Sequence, residues 1–197
     1  MLRGGRRHPG PPLFFPPASR YAGRMGQQIY KGRIVDLRVE RVTLPNGTAV
    51  DLELMHHPGA SAVVAVDDGG RVVLIRQYRH AAGGYIWELP AGILDVPDEP
   101  PERCAARELA EEAGVEAREL TPLGTIFTTP GFCDERIHLF LARGLRQAEQ
   151  RHEADEVIAE IARLPLAEAL AMVRRGEIVD GKTIAGLHLA AAALAAA

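Results

Sequence analysis

Glu108, Glu111 and Glu112 stand three, four and one residues apart in the run RELAEE. On a helix of about 3.6 residues per turn, those spacings put three carboxylates on one side. Like charges placed this way cost an isolated helix roughly 0.2–0.5 kcal/mol a pair, so a sequence that concentrates them needs a countercharge. Glutamate oxygens are hard donors suited to Mg2+ or Mn2+, and Mg2+ commonly joins carboxylates to substrate phosphates rather than sitting in an all-protein cage. A bare Glu-Glu pair is usually a solvated helix face, so the chemistry turns on what surrounds it.

The surroundings bound the element. Pro90 and Gly92 mark a strand giving way to a loop. Asp98 and Glu99 ahead of Pro100 and Pro101 read as a helix start, and Gly114 as its stop. Gly92, Glu99, Arg107, Glu108, Leu109, Glu111, Glu112, Gly114 and Val115 together resemble the box of the Nudix hydrolases, G x5 E x7 R E U x E E x G U with U aliphatic. The chain departs once, with six residues instead of five between Gly92 and Glu99, which puts the path of that loop in question rather than the acidic face. The resemblance implies Glu108 and Glu112 as the main metal ligands and the backbone carbonyl of Ala91 as a further one. It makes Glu111 a supporting or second ligand and a candidate catalytic carboxylate. Glu99 and Arg107 then pair to fix the loop against the helix, with Gly92 and Gly114 as structural members. The implied cofactor is Mg2+, with Mn2+ as a substitute.

Two further runs, RQYR at 76–79 and WELPAG at 87–92, are similar to the ADP-ribose pyrophosphatase branch of that family, as is Pro130, sixteen residues past Gly114. That branch implies Arg79 holding a phosphate, a task its planar two-pronged group suits, and Glu88 and Pro130 near the substrate. It also implies a glutamate that orients or deprotonates the attacking water from the loop QAEQRHEADE, with Glu153 first and Glu156 second. The expected reaction is hydrolysis of ADP-ribose to AMP and ribose 5-phosphate. The alternatives are another nucleotide sugar, such as GDP-mannose or ADP-glucose, or a non-catalytic nucleotide-sensing module. The three intact glutamates argue against the last.

The chain has 197 residues, 47% hydrophobic and 25% charged, the make-up of one ordinary globular domain with a small appendage. A net charge of −3 argues against a nucleic-acid partner. No apolar run approaches the roughly 20 residues that span a bilayer, so the expectation is a soluble, cytoplasmic enzyme whose partner is a small nucleoside diphosphate. Cys104 and Cys133 lack metal-site spacing, and the histidines show no ligand pattern.

Residues 1–24 carry five arginines and no acid among prolines and glycines, and read as a disordered extension. Without those arginines the net charge moves from −3 to −8. From 25 to 57, alternating apolar residues either side of Pro45-Asn46-Gly47 predict a small antiparallel sheet. The resemblance makes that sheet the contact of a homodimer, with Arg38, Arg41 or Glu53 as candidates to reach a neighbour's substrate. Residues 58–197 form the hydrolase domain. Strands are expected at 61–66, 71–76, 85–89, 120–127 and 136–141, and helices at 166–174 and 183–197. The fold class is α/β, and the resemblance implies an α/β/α sandwich with a mixed sheet.

Overall fold

A computed structural model describes residues 26–150 and 157–196. The expected extension at 1–24 and the two loop glutamates, Glu153 and Glu156, lie outside the described residues.

Three strands open the chain: β1 (Gly26–Lys31), β2 (Asp36–Thr43) and β3 (Ala49–His56), antiparallel in the order β1-β2-β3. The β2–β3 turn forms at Pro45-Asn46-Gly47, where Gly47 N–H donates to Leu44 O at 2.8 Å and Asn46 Oδ1 accepts from Thr48 N–H at 3.0 Å. These local bonds fix the register Val42↔Val50.

The remaining strands are β4 (Ala60–Ala65), β5 (Arg71–Arg79), β6 (Gly84–Glu88), β7 (Ala91–Ile93), β8 (Val115–Phe127), β9 (Arg136–Gln147) and β10 (Ile158–Pro165). They make a mixed sheet β7-β4-β9-β8, in which β4 and β9 run parallel, and an antiparallel sheet β10-β5-β6. The helices are α1 (Pro101–Ala113), α2 (Leu166–Arg175) and α3 (Gly181–Ala195).

Strands β4 and β5 explain the layering. Side chains alternate across a strand with period two. Val64, Val66, Val72 and Leu74 pack with Leu89, Met172 and Leu187 under α2 and α3, while Val63, Ala65, Val73 and Ile75 pack with Leu109 and Phe140 under α1. Both faces are therefore covered, which is why SAVVAV and RVVLI are nearly continuous apolar runs. Each of these valines, leucines and other large apolar side chains contributes about 1.5–3 kcal/mol on burial. The result is the expected α/β architecture, a sheet layer between helices. No helix among the described residues is long and apolar enough to cross a membrane.

Three elements depart from the sequence reading. Gly92, expected in a loop, lies in the short strand β7, paired with Ser61 of β4. Strand β8 begins at Val115, directly after the helix and five residues before the expected Leu120, with mostly half-buried or exposed side chains that carry little alternation. Strand β10 was hidden because Ile158, Ile161 and Leu164 recur every third residue. A bulge between Ile158 and Glu160 shifts the register with β5, and beyond it Ile161 is exposed while Leu164 packs inward, so the three do not mark one face.

Candidate active site

Helix α1 starts on Pro101 and stops at Gly114, whose φ of 61° is left-handed and whose N–H caps Ala110 O at 3.0 Å. Its buried face holds Cys104, Ala105, Glu108, Leu109, Glu112 and Ala113. Glu108 and Glu112, one turn apart, are thus turned inward, 7% and 1% exposed, and Glu111 stands at the edge of that face. Strand β7 runs beside them: Ala91 N–H donates to Glu112 Oε2 at 2.8 Å. Gly92 is required by a close approach, since a Cβ there would collide with the Glu108 carboxylate. Gly92→Ala should push Glu108 aside. Turnover is then expected to fall by about tenfold or more through misplacement of a site group, with the melting temperature lower by at most a few degrees. Near-normal turnover in that variant would mean that Glu108 has no positional role.

The countercharge that the sequence calls for is Arg107. Its Nε and Nη2 grip Glu99 Oε1 and Oε2 at 3.1 and 3.0 Å, while Nη1 reaches Glu108 Oε1 at 2.6 Å and Glu111 Oε2 at 3.0 Å. One guanidinium therefore joins three carboxylates and ties the loop before α1 to the helix. Within the loop before α1, Glu99 N–H meets Val96 O at 3.2 Å with Asp98 at φ 60°, a turn with Pro97 at its second position and a left-handed third residue, the pattern of type II. Next to this cluster, burial above all pushes the Cys104 thiol up to about 11, so it stays protonated and unreactive at neutral pH.

Among the described residues, no three His, Cys, Asp or Glu side chains stand together as a ready-made cage. Arg107 holds Glu108 and Glu111, and the Ala91 N–H holds Glu112. Glu108 and Glu112 offer hard carboxylate oxygens from one buried face, donors whose chemistry fits a divalent cation, which would take over part of the neutralisation Arg107 now provides.

The Arg107–Glu99 pair also sets a pH dependence. Hydrogen bonds from Arg107 hold the Glu99 carboxyl below its ordinary value of 4.5. A depressed folded-state value means that the unfolded chain takes up the proton first as pH falls. The contribution to stability is therefore complete above about 4.5 and is lost as pH drops through the lower folded-state value. Melting temperatures recorded from about pH 7 to about pH 3 should decline on this acid limb, and less steeply in Glu99→Gln. Identical acid limbs in the two proteins would remove Glu99 from the account.

A second charged cluster faces the first. Arg79, at the end of β5, donates from Nε and Nη2 to Glu88 Oε1 and Oε2 at 2.7 and 2.9 Å, and Lys182 Nζ donates to the same carboxylate. Burial alone would raise the Glu88 carboxyl, but the Arg79 hydrogen bonds and the Lys182 charge outweigh it and hold it below the ordinary value. Between the clusters lies a cleft of about 860 Å3, lined among others by Arg79, Gly92, Glu108, Ile126, Glu135 and Lys182. That size suits a nucleotide-like ligand. The structure thus brings Arg79, Ala91, Gly92, Arg107 and Glu108 to one cleft, with Glu88, Glu99, Glu111 and Glu112 bonded to members of that group. Pro130 is not brought in: it is exposed on the loop after β8 and is not among the residues lining the cleft.

That loop has partners the sequence did not reveal. Met55 N–H donates to Phe132 O at 2.7 Å, and Asp134 N–H to Met55 O at 3.1 Å. The buried His56 ring lies between Asp134 Oδ2, 2.7 Å from Nδ1, and Glu40 Oε1, 2.9 Å from Nε2. The arrangement clasps the first sheet to the loop whose Thr128 and Glu135 line the cleft. Lys182, likewise missed, comes from a stretch whose only sequence signal is the helix start Asp180-Gly-Lys-Thr.

The chain is similar to known proteins over most of its length. A model of the NUDIX domain matches residues 55–187. An ADP-ribose pyrophosphatase of Bacillus subtilis (strain 168) is 44% identical over 158 residues, covering 80% of this chain and 85% of that protein. An ADP-ribose pyrophosphatase of Mycobacterium tuberculosis is 44% identical over 164 residues, covering 82% and 78%. A crystal structure of an ADP compounds hydrolase superposes with a TM-score of 0.74 at 23% identity, over 86% of this chain and 91% of that one, a likeness of fold.

Proposed function

The chain belongs to the Nudix hydrolases, and from that membership we propose that it hydrolyses the pyrophosphate bond of ADP-ribose to AMP and ribose 5-phosphate. The observation that carries this reading is that one cleft joins the buried acidic face of α1 to a phosphate-competent arginine, Arg79. The relatives named ADP-ribose pyrophosphatase, 44% identical over about four fifths of the chain, support ADP-ribose as the substrate.

Glu108 and Glu112 would hold a divalent cation, with Glu111 and the Ala91 carbonyl in support; Mg2+ is the proposed ion and Mn2+ its substitute. When bound, such an ion neutralises phosphate charge and makes a water more acidic. The chain's own residues do the rest. Arg79 turns its fork to the phosphate oxygens. Arg107, fixed by Glu99, keeps the glutamates of α1 aligned. Glu153, with Glu156 second, orients the attacking water or takes its proton. Water oxygen bonds to phosphorus as the bridging P–O bond breaks, and the electron pair leaves with the departing phosphate. The proposed setting is the cytoplasm and the proposed assembly a homodimer through β1–β3.

The test is a panel of ADP-ribose, ADP-glucose, GDP-mannose, NADH and diadenosine polyphosphates, with and without a chelator. The expected result is metal-dependent turnover with the highest kcat/KM for ADP-ribose. A higher value for GDP-mannose, or phosphate release indifferent to the chelator, would overturn the reading.

A further inference from the structure

Gln77 puts a buried amide on the wall of the cleft. The residue is 4% exposed and lines the cavity between the two charged clusters, yet its side-chain Oε1 has no hydrogen-bond partner among the described residues. A buried acceptor left without a donor is unfavourable, which is why such atoms are rare in native folds. Packing does not call for one here. Gln77 sits in β5 between Ile158 of β10 and Ile86 of β6, and the residue before it on the same face, Ile75, packs with Leu109 of α1. An aliphatic side chain would continue that row and orphan no oxygen.

Place in the strand indicates what the oxygen serves. Side chains alternate along β5, so Gln77 shares its face with Arg79 two residues on and with Ile75 two residues back. Arg79 is the group proposed to hold phosphate, and Ile75 packs under the helix that carries Glu108 and Glu112. Gln77 therefore stands between the phosphate grip and the acidic face, where the substrate's two phosphates are proposed to lie. Phosphate oxygens and carboxylates only accept at neutral pH, and neither can satisfy an amide oxygen. Of the groups that meet at the scissile bond, water carries the donors. We propose that Gln77 is a catalytic residue whose Oε1 accepts one O–H of the attacking water and aims the water's lone pair at phosphorus. The role rests on the hydrolysis proposed above. An amide oxygen is too weak a base to keep that proton, so Gln77 orients and the second O–H is left to the general base. Water oxygen bonds to phosphorus, the bridging P–O bond breaks with its electron pair on the departing phosphate, and the proton passes to the base.

The test is Gln77→Met in the full chain, with Gln77→Leu beside it, read by thermal melts without substrate and by steady-state kinetics on ADP-ribose. Both replacements fill the position and remove the orphaned oxygen, so the melting temperature should hold level or rise by up to a few degrees. kcat should fall by about tenfold to a hundredfold, the effect of a misaimed nucleophile. KM should stay within about threefold, since the substrate's own ground-state contacts are untouched. Stability kept or gained beside turnover lost is a combination that a merely structural glutamine would not give. Either variant decides the matter if the other fails to fold.

A folded variant with kcat within about threefold of wild type would overturn the proposal, leaving Gln77 an idle buried amide. A raised KM with kcat unchanged would overturn it too, by making the amide a ligand of the substrate itself. A melting temperature lowered by more than a few degrees in both variants would do the same, by making Gln77 a structural residue. A wild-type chain that leaves ADP-ribose intact but cleaves another member of the panel sinks the substrate assignment alone, and the same comparison on that compound then decides Gln77. No turnover on any member overturns both.

Discussion

Glu112→Gln should yield a folded protein whose kcat is lower by about two to three orders of magnitude, the size of effect seen when a site's charge stabilisation is removed. The local structure predicts that the fold tolerates the change. Glu112 Oε2 accepts one hydrogen bond from Ala91 N–H, and a glutamine side-chain oxygen can accept the same bond. The substitution also deletes one of three like charges on the α1 face, so the melting temperature should stay level or rise slightly. Lost turnover with retained stability separates a charge needed for chemistry from a side chain needed for packing. The measurement is kcat at saturating Mg2+ together with a thermal melt. A folded variant with near-normal turnover would remove Glu112 from the ligand set, while a large drop in melting temperature would make it a structural residue.

How much of this was readable in advance depends on distance along the chain. The acidic face of α1, its proline start and its glycine stop are local, carried by spacing within about two dozen residues, and the structure shows them in one helix. The faces of β4 and β5 were legible as dense apolar runs because both sides of those strands are covered. Lys182 was not legible: it lies 94 residues from Glu88, and nothing local marks a lysine as the partner of a distant buried carboxylate. His56 was passed over for the same reason, since its partners Glu40 and Asp134 belong to another strand and a far loop. A single histidine in a half-polar strand carries no sign of two carboxylates closing on it. Strand β10 failed differently: Ile161 is exposed while Ile158 and Leu164 pack against different clusters, so its apolar residues mark no single buried face.

The first sheet leads to the last prediction, a homodimer near twice the 21.3 kDa chain mass. Strands β1–β3 share no ladder with the other two sheets. Every residue of β1 is exposed, and Ile29, Tyr30 and Leu52 are 51%, 60% and 36% exposed. A three-stranded sheet of this size needs cover for its apolar side. A second copy across a twofold axis supplies it symmetrically, with an interface of about 1,200 Å2 or more expected for a stable pair. Arg38 and Arg41 are held on that sheet by Asp36 and Asp51, and neither lines the chain's own cleft. A chain starting at Gly59 should lose both dimer and activity, but it would also lose the Met55 and His56 contacts to the loop at 128–135. The sharper test leaves that clasp intact. Ile29→Asp with Tyr30→Asp places charge on the exposed apolar residues of β1 alone. Light scattering at micromolar concentration should then report a monomer, and activity should fall by about a hundredfold, as expected when a positioned group is withdrawn from a site. A monodisperse monomer of this variant with full activity would show that each cleft is complete within one chain, and would make β1–β3 a lid on its own subunit.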